Sequence, residues 1–448
     1  MRVKLLPVLL LLAVAPFPGR GEDLMDAYRQ AVANDPVLAT ADAQRLLVAE
    51  GVPVARSALL PQLSANLGLE QSHGGSGGTT TDSNGNVVTT SAKGHTRDRS
   101  FSGSLDQTII DLSAIANLRA AGAARDAQDQ TYQAALQNLY VRVAQAYFNV
   151  LVSEDLVEIN RAYEDAYKQE YDQTSARFKN GLSMAADVSQ SKAYYLYIKA
   201  QRIQSEDSLK DARKALEQIT GKPTGTLKKL RDDLPMQPPS PDNAQAWVDA
   251  ALQTNPTILA ARYTVRSDEH KVSAARAGHL PTLTAGVSYN KFGAWSNVVP
   301  GGAGYGPATT TVGLTLRVPL FSGGLTHAQV KQAIFQRDAD QGVLESQRRQ
   351  AARDASNYFN LVQDGIEQVD SARASVDAAK KSLESMRAGY AIGTQRLTDV
   401  VIAIQTLASV QSQYTVARHQ FILDKLLLKQ AAGTIDLKDL EAVNGLLQ

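Results

Sequence analysis

From Leu112 to Phe178 the chain contains no proline and a single glycine, Gly122, the pattern of one uninterrupted helix. At ~1.5 Å per residue such a helix extends on the order of 100 Å. An ordinary globular domain has no use for a rod of that length. Leu136, Leu139, Val143, Ala146 and Val150 step by three and four, as do Leu156, Ile159, Tyr163 and Ala166, which predicts a coiled-coil seam. A returning helix offers Ala193, Leu196, Ala200 and Ile203, then Leu209, Ala212, Leu216 and Ile219. These stripes are narrow, alanine-rich and flanked by polar residues on both sides, which suits a wall wetted on two faces.

The stretch Pro235-Met236-Gln237-Pro238-Pro239-Ser240-Pro241 cannot be helix interior and divides the chain near its middle. The two halves resemble each other. Asn34-Asp35-Pro36 is echoed by Thr254-Asn255-Pro256, and Leu60-Pro61-Gln62-Leu63 by Leu280-Pro281-Thr282-Leu283. Further on, Phe178-Lys179-Asn180-Gly181-Leu182 with Asp187-Val188 is echoed by Tyr390-Ala391-Ile392-Gly393-Thr394 with Asp399-Val400. Agreement of order, spacing and type at three separated places predicts a duplication, with residues 22–238 as the first repeat and 239–448 as the second. Each repeat is expected to hold a helix, a β-hairpin and a long helix pair.

After Pro61 the period changes from helical to strict alternation. Leu63, Ala65, Leu67 and Leu69 point one way; Ser64, Asn66, Gly68 and Glu70 point the other. The pattern recurs at Phe101, Gly103 and Leu105, at Leu283, Ala285, Val287 and Tyr289, and at Val312, Leu314, Leu316 and Val318. Glycine-, serine- and threonine-rich stretches between the strands of each pair, His73 to His95 and Gly293 to Pro307, read as loops. One such hairpin alone is an ordinary half-buried sheet. Four amphipathic strands with no other sheet to pack against predict a membrane barrel, since a tilted strand crosses a bilayer in roughly 9 to 11 residues.

Residues 1–21 read as a secretory signal: Arg2 and Lys4 precede an apolar run from Leu5 to Val14, too short to span a membrane, and Gly19-Arg20-Gly21 is a small-x-small cleavage site. There is no cysteine, so no disulfide, thiolate metal ligand or acylated anchor is expected. The net charge of +1 gives no reason to expect nucleic acid as a partner. The histidines at 73, 95, 270, 279, 327 and 419 show no paired metal spacing, and neither a phosphate loop nor a nucleophile motif occurs. No cofactor, metal or catalysis is expected. The rival to a barrel is a soluble periplasmic coiled-coil adaptor or scaffold, which would share the helical hairpins without needing the strands.

With these features in hand the chain resembles the TolC family of outer-membrane factors. The strings that carry the likeness are Leu60-Pro61-Gln62-Leu63, Ala146-Tyr147-Phe148-Asn149-Val150-Leu151, Arg177-Phe178 before Gly181-Leu182, Gln218-Ile219-Thr220-Gly221, and Gly389-Tyr390 before Gly393-Thr394. The resemblance implies a mixed fold. Four strands per chain would close a 12-stranded trimeric β-barrel in the outer membrane, and the helices would form a long α-helical barrel, a coiled-coil tunnel in the periplasm. It implies a passive exit duct for drug efflux, type I protein secretion or both, working with a periplasmic adaptor and an inner-membrane pump. By motif position, Gly181, Leu182, Gly393 and Thr394 would dock the adaptor. Asp187 and Tyr390 would hold the inner helix pair to the outer one, with Glu170 and Arg387 as a second link. The family's gate arginine falls on Gln395, beside Arg396, and Asp399 would form an anionic ring at the narrowest aperture. Ser183 and Thr394 are expected to cap the helices that follow each reversal.

Overall fold

A short polar residue followed by proline sets the first helix break. The computed structural model describes residues 21–296 and 304–448; the expected signal, apart from Gly21, lies outside them. Helix α1 (Leu24–Asn34) starts on Asp23, whose carboxylate accepts the Asp26 N–H at 2.9 Å. It stops where Asp35 accepts the Leu38 N–H at 2.9 Å and Pro36 takes the first position of α2 (Pro36–Ser57). Later in the chain Asn243 caps α5 (Ala244–Thr254), and Pro256 opens α6 (Pro256–Ala277). The long helices are α3 (Leu112–Lys179) with α4 (Ala185–Thr220), and α7 (Leu325–Ala391) with α8 (Leu397–Ala431); α9 (Leu437–Asn444) follows. The corresponding pairs measure 68 and 67 residues for α3 and α7, and 36 and 35 for α4 and α8.

The described residues form two compact units. One gathers those up to Ala41 with Gln133–Asn255 and Arg349–Gln448; the other gathers Asp42–Tyr132 and Pro256–Arg348.

The second unit carries the sheet, whose strands are β1 (Gln62–Thr81), β2 (Val87–Ile110), β3 (Thr282–Ser296), β4 (Gly304–Tyr305) and β5 (Thr309–Arg317). All pairings are antiparallel: β1 with β2, β2 with β3, and β3 with both β5 and the short β4. The register aligns Leu63 with Leu105, Leu105 with Val287, and Val287 with Val312, so the expected apolar positions share one face. That face is uncovered, with Leu63, Leu67, Leu69, Val312 and Leu314 each 73–80 % exposed. On the other face Ser64 and Ser104 hydroxyls lie 2.8 Å apart. Among the described residues, the outer edges of β1 and β5 pair with no strand.

Two expectations need correction here. The stretch from His73 to His95 is mostly strand, and only residues 82–86 turn. Backbone pairing needs no apolar side chain, and His73 sits directly opposite His95. Asp82 accepts the N–H groups of Asn84 and Asn86 at 2.8 and 2.9 Å, while Gly85 takes φ 82°. In the second hairpin β3 continues to Ser296, and β4 is a fifth strand beside the expected four. Trp295 and Tyr305 hold it edge-to-face at 5.0 Å; residues 297–303 of that expected loop lie outside the described residues.

The first unit has its core along α3 and α8. Leu139, Val143, Tyr147, Phe148, Val150 and Leu151 are fully or almost fully buried, with Phe421, Ile422 and Leu426 from α8. The Tyr147 hydroxyl lies 3.0 Å from the carbonyls of Glu22 and Lys228, tethering the segment ahead of α1 and the connector after α4. Further along, Tyr163, Tyr167, Ile198, Val376, Leu383, Val400 and Ile404 make a second cluster drawn from all four long helices. There the expected stripe departs from what is buried. Ala193, Leu196, Ala200 and Ile203 of α4 are exposed, and Ser191 and Ile198 are buried. The rotation follows two stacked tyrosine pairs, Tyr167 on Tyr194 at 6.0 Å and Tyr171 on Tyr195 at 6.3 Å, whose large rings outweigh alanine in buried area.

Candidate functional site at the two helix reversals

Each long pair reverses through the same backbone device, set by one glycine. At the end of α3 the Leu182 N–H bonds the Arg177 carbonyl at 2.8 Å and the Gly181 N–H bonds Phe178 at 2.9 Å. At the end of α7 Thr394 bonds Gly389 at 2.9 Å and Gly393 bonds Tyr390 at 3.2 Å. This is the Schellman ending, which needs a left-handed residue; Gly181 has φ 72° and Gly393 φ 82°. A Cβ at either glycine would meet nothing within 4 Å, so glycine is required by conformation alone. The tips are apolar and uncovered: Leu182 is 72 % and Ile392 77 % exposed.

The helices that follow start on carboxylates. Asp187 accepts the Met184 N–H at 3.2 Å and Asp399 accepts the Arg396 N–H at 3.1 Å, each reaching back from the first turn. The expected hydroxyl caps are therefore corrected. Ser183 stands one residue too early and donates to Asp187 at 3.0 Å, while Thr394 donates back to the Gly389 carbonyl at 3.1 Å and so closes α7. Asp187 is thus engaged within its own reversal and makes no direct hydrogen bond to Tyr390 among the described residues. Gln395 packs over Gly389, where an added Cβ would come within 2.5 Å of the glutamine Cγ. Gln395 and Arg396 are exposed and Asp399 is half-buried.

Between α3 and α7 the link is a ring contact. The Arg177 guanidinium sits 5.0 Å from the centroid of Tyr390. Nearby the Glu170 carboxyl is buried, and its Oε1 has no hydrogen-bond partner. Burial pushes its pKa up, against the downward pull of Arg387 and Arg177, and Glu170 makes no direct ion pair with Arg387 among the described residues. Arg177 was legible only as part of a motif string; its partner depends on helix rotation.

Other links were not legible at all. Tyr163 donates to Gln411 at 2.6 Å and Tyr167 to the Val401 carbonyl at 3.3 Å, joining α3 to α8. Burial raises both phenols, Tyr167 to about 12. Arg202 bridges Glu164 and Glu206, and Arg161 meets Glu206 at 2.7 Å, joining α3 to α4. Among the described residues no cluster of three or more metal-ligating side chains occurs, and no helix is long and apolar enough to cross a membrane.

Residues 27–222 and 247–434 match the family described as Outer membrane efflux protein. The chain belongs to that family. It is 32 % identical over 455 residues to the Outer membrane protein TolC of Escherichia coli strain K12, spanning 99 % of this chain and 89 % of that one. It is 28 % identical to the Alkaline protease secretion protein AprF of Pseudomonas aeruginosa, over 94 % of this chain and 86 % of that one. The fold is similar to that of the Campylobacter jejuni CmeC outer membrane channel, with a TM-score of 0.76 at 18 % identity, covering 95 % and 90 % of the two chains. Family membership places the protein in the bacterial outer membrane and makes it a channel of the efflux and secretion class.

Proposed function

We propose that three copies of this chain assemble into one exit duct, closed by a shared β-barrel and gated at the two helix reversals. The observation that carries the reading is the sheet, which among the described residues has one uncovered apolar face and two unpaired outer edges. Lipid leaves no backbone group unpaired, and membrane barrels start at about eight strands, so four long strands per chain close only by sharing, with roughly twelve from three copies. Leu196 and Ile203 on α4, exposed in the single chain, suit helix walls that meet further copies. The near-equal helix lengths in residues 22–238 and 239–448 support a duplicated chain.

In this reading Gly181, Leu182, Gly393 and Thr394 present the tips to a periplasmic adaptor, and an inner-membrane pump supplies the cargo. Arg177 on the Tyr390 ring ties α3 to α7 at the gate, helped by the attraction of Arg387 for Glu170, and Asp187 fixes its own reversal, while Gln395 and Arg396 stand where a charged gate bond would form. Three Asp399 side chains make the anionic ring. The relatives' names speak of both efflux and protease secretion, and either cargo fits a duct whose choice is made upstream. A soluble adaptor has no use for the apolar sheet face.

The test is conductance in a planar bilayer. The purified protein is expected to conduct cations and to be blocked by multivalent cations from the tip side, with Asp399→Asn relieving the block while keeping an acceptor for the Arg396 N–H. Block that persists unchanged in Asp399→Asn refutes the ring.

A further inference from the structure

Charge is sorted between the two faces of the sheet. Glu70, Asp98 and Asp106 lie at positions that share the face of Ser64 and Ser104. The apolar face carries no carboxylate across the described residues of β1, β2, β3 and β5, yet it carries Arg97, Arg99 and Lys291. These cations form a cluster. The register puts Leu69 beside Arg99 and Arg99 beside Gly293, with Arg97 next to Trp295 and Lys291 next to Phe101. All three lie beyond Leu63, Leu105 and Val287, toward the hairpin turns and away from the strand ends that join α2 and α3.

The cluster is built on aromatic rings. The Arg99 guanidinium is 4.9 Å from the Trp295 centroid, Trp295 meets Tyr305 edge-to-face at 5.0 Å, and Lys291 Nζ is 5.1 Å from Tyr305. Gly293 makes room for this, since a Cβ there would lie 2.7 Å from the Tyr305 ring. Arg97 is steadied by Gln71 Oε1 at 3.1 Å. Cations at a membrane border that merely snorkel need no such ordering. Three held together with no carboxylate on their face present a site for anionic oxygens.

We propose that Arg97, Arg99 and Lys291, set on the Trp295–Tyr305 platform, bind the phosphate groups of lipid A, the phosphorylated glycolipid of the outer leaflet. The inference rests on the barrel reading above: the apolar face meets lipid, and the hairpin turns, at the strand ends opposite those that lead into the periplasmic helices, lie outside the cell. Charge complementarity selects this occupant, because an arginine fork and an ammonium match phosphate oxygens, and the cluster lies where the apolar band ends.

The assembled protein in neutral detergent is titrated with diphosphorylated lipid A, with the same lipid stripped of phosphate, and with phosphatidylglycerol, and bound lipid is counted by native mass spectrometry. Lipid A is expected to bind in preference to both others. The combined change Arg97→Gln, Arg99→Gln and Lys291→Gln is expected to weaken it on the order of a hundredfold. Arg97→Lys with Arg99→Lys is expected to retain most of the binding, and Glu70→Gln on the opposite face to leave it unchanged. Equal binding of the dephosphorylated lipid or of phosphatidylglycerol overturns the proposal, as does a triple variant that binds like the wild type. Should the triple variant not assemble, Arg99→Gln alone is expected to lose several-fold, and its binding lipid A like the wild type overturns the proposal equally. Loss of phosphate discrimination by intact assemblies strikes only this inference, whereas a wild-type chain that forms no assembly strikes the barrel.

Discussion

Arg177 and Tyr390 meet through a ring face, so the phenol hydroxyl is not what joins α3 to α7. A cation over an aromatic ring contributes about 0.5 to 2 kcal/mol, and in the proposed three-chain duct the effect on the gate is multiplied. Tyr390→Phe is therefore expected to conduct like the wild type in a planar bilayer, and Tyr390→Leu to conduct more. Equal increases for both would return the role to the hydroxyl. A second residue acts through pH. His419 is buried against Phe148, donates Nδ1–H to the Thr415 carbonyl at 2.8 Å and leaves Nε2 without a partner. Burial, aided by Arg418, pushes its pKa from 6.5 down to about 4. The unfolded chain then binds the proton first, so the stability from a neutral His419 is whole above pH 6.5 and lost as pH falls toward 4. The loss is on the order of 3 kcal/mol per chain. Glu170, raised by burial, has the opposite sign: its share is whole below its unfolded pKa and lost as pH rises through the folded value. Melting temperature across the acid window should fall less in His419→Phe than in the wild type; identical acid limbs would show that His419 titrates freely. The resemblance marked Tyr390 as a link between helix pairs, but neither its ring contact with Arg177 nor the burial of His419 was legible beforehand, because both depend on which way a helix faces.

Helices α3 and α7 end on glycines with open space around them, so substitution there isolates backbone conformation. Alanine in the left-handed region costs about 1 to 2 kcal/mol, enough to loosen the last turn without touching the sheet. Gly181→Ala with Gly393→Ala is expected to weaken cross-linking to the adaptor several-fold and to leave outer-membrane assembly intact; full capture by the double variant would take the tips out of the docking surface. The positions of these reversals were legible because Gly181 and Gly393 mark them directly. Strand length was not. The stretch from His73 to Thr81 has the composition of a loop and becomes strand because β2 runs alongside it. The buried face at the start of α4 also escaped the alanine-and-leucine stripe, since Tyr194 and Tyr195 turn it toward α3, whereas Leu216 further along is buried as the stripe implied.

At the scale of the whole molecule, alternation along four stretches sufficed to read a sheet with one apolar face, and the register keeps those residues together. Closure was legible only as an implication of the family resemblance; the structure adds that β1 and β5 each offer a row of backbone groups that no other described strand pairs. The sequence contains no cysteine, so introduced thiols report without background. A cysteine at Thr315 on β5 is combined in turn with one at Gln62, Ser64, Asn66 or Gly68 on β1, all on the face opposite the apolar one, and the protein is oxidised in its membrane. A disulfide needs Cα atoms within about 7 Å, so only strands paired edge to edge will link. At least one combination is expected to give a three-chain band on a non-reducing denaturing gel; single-chain bands from every combination would contradict a barrel shared between copies.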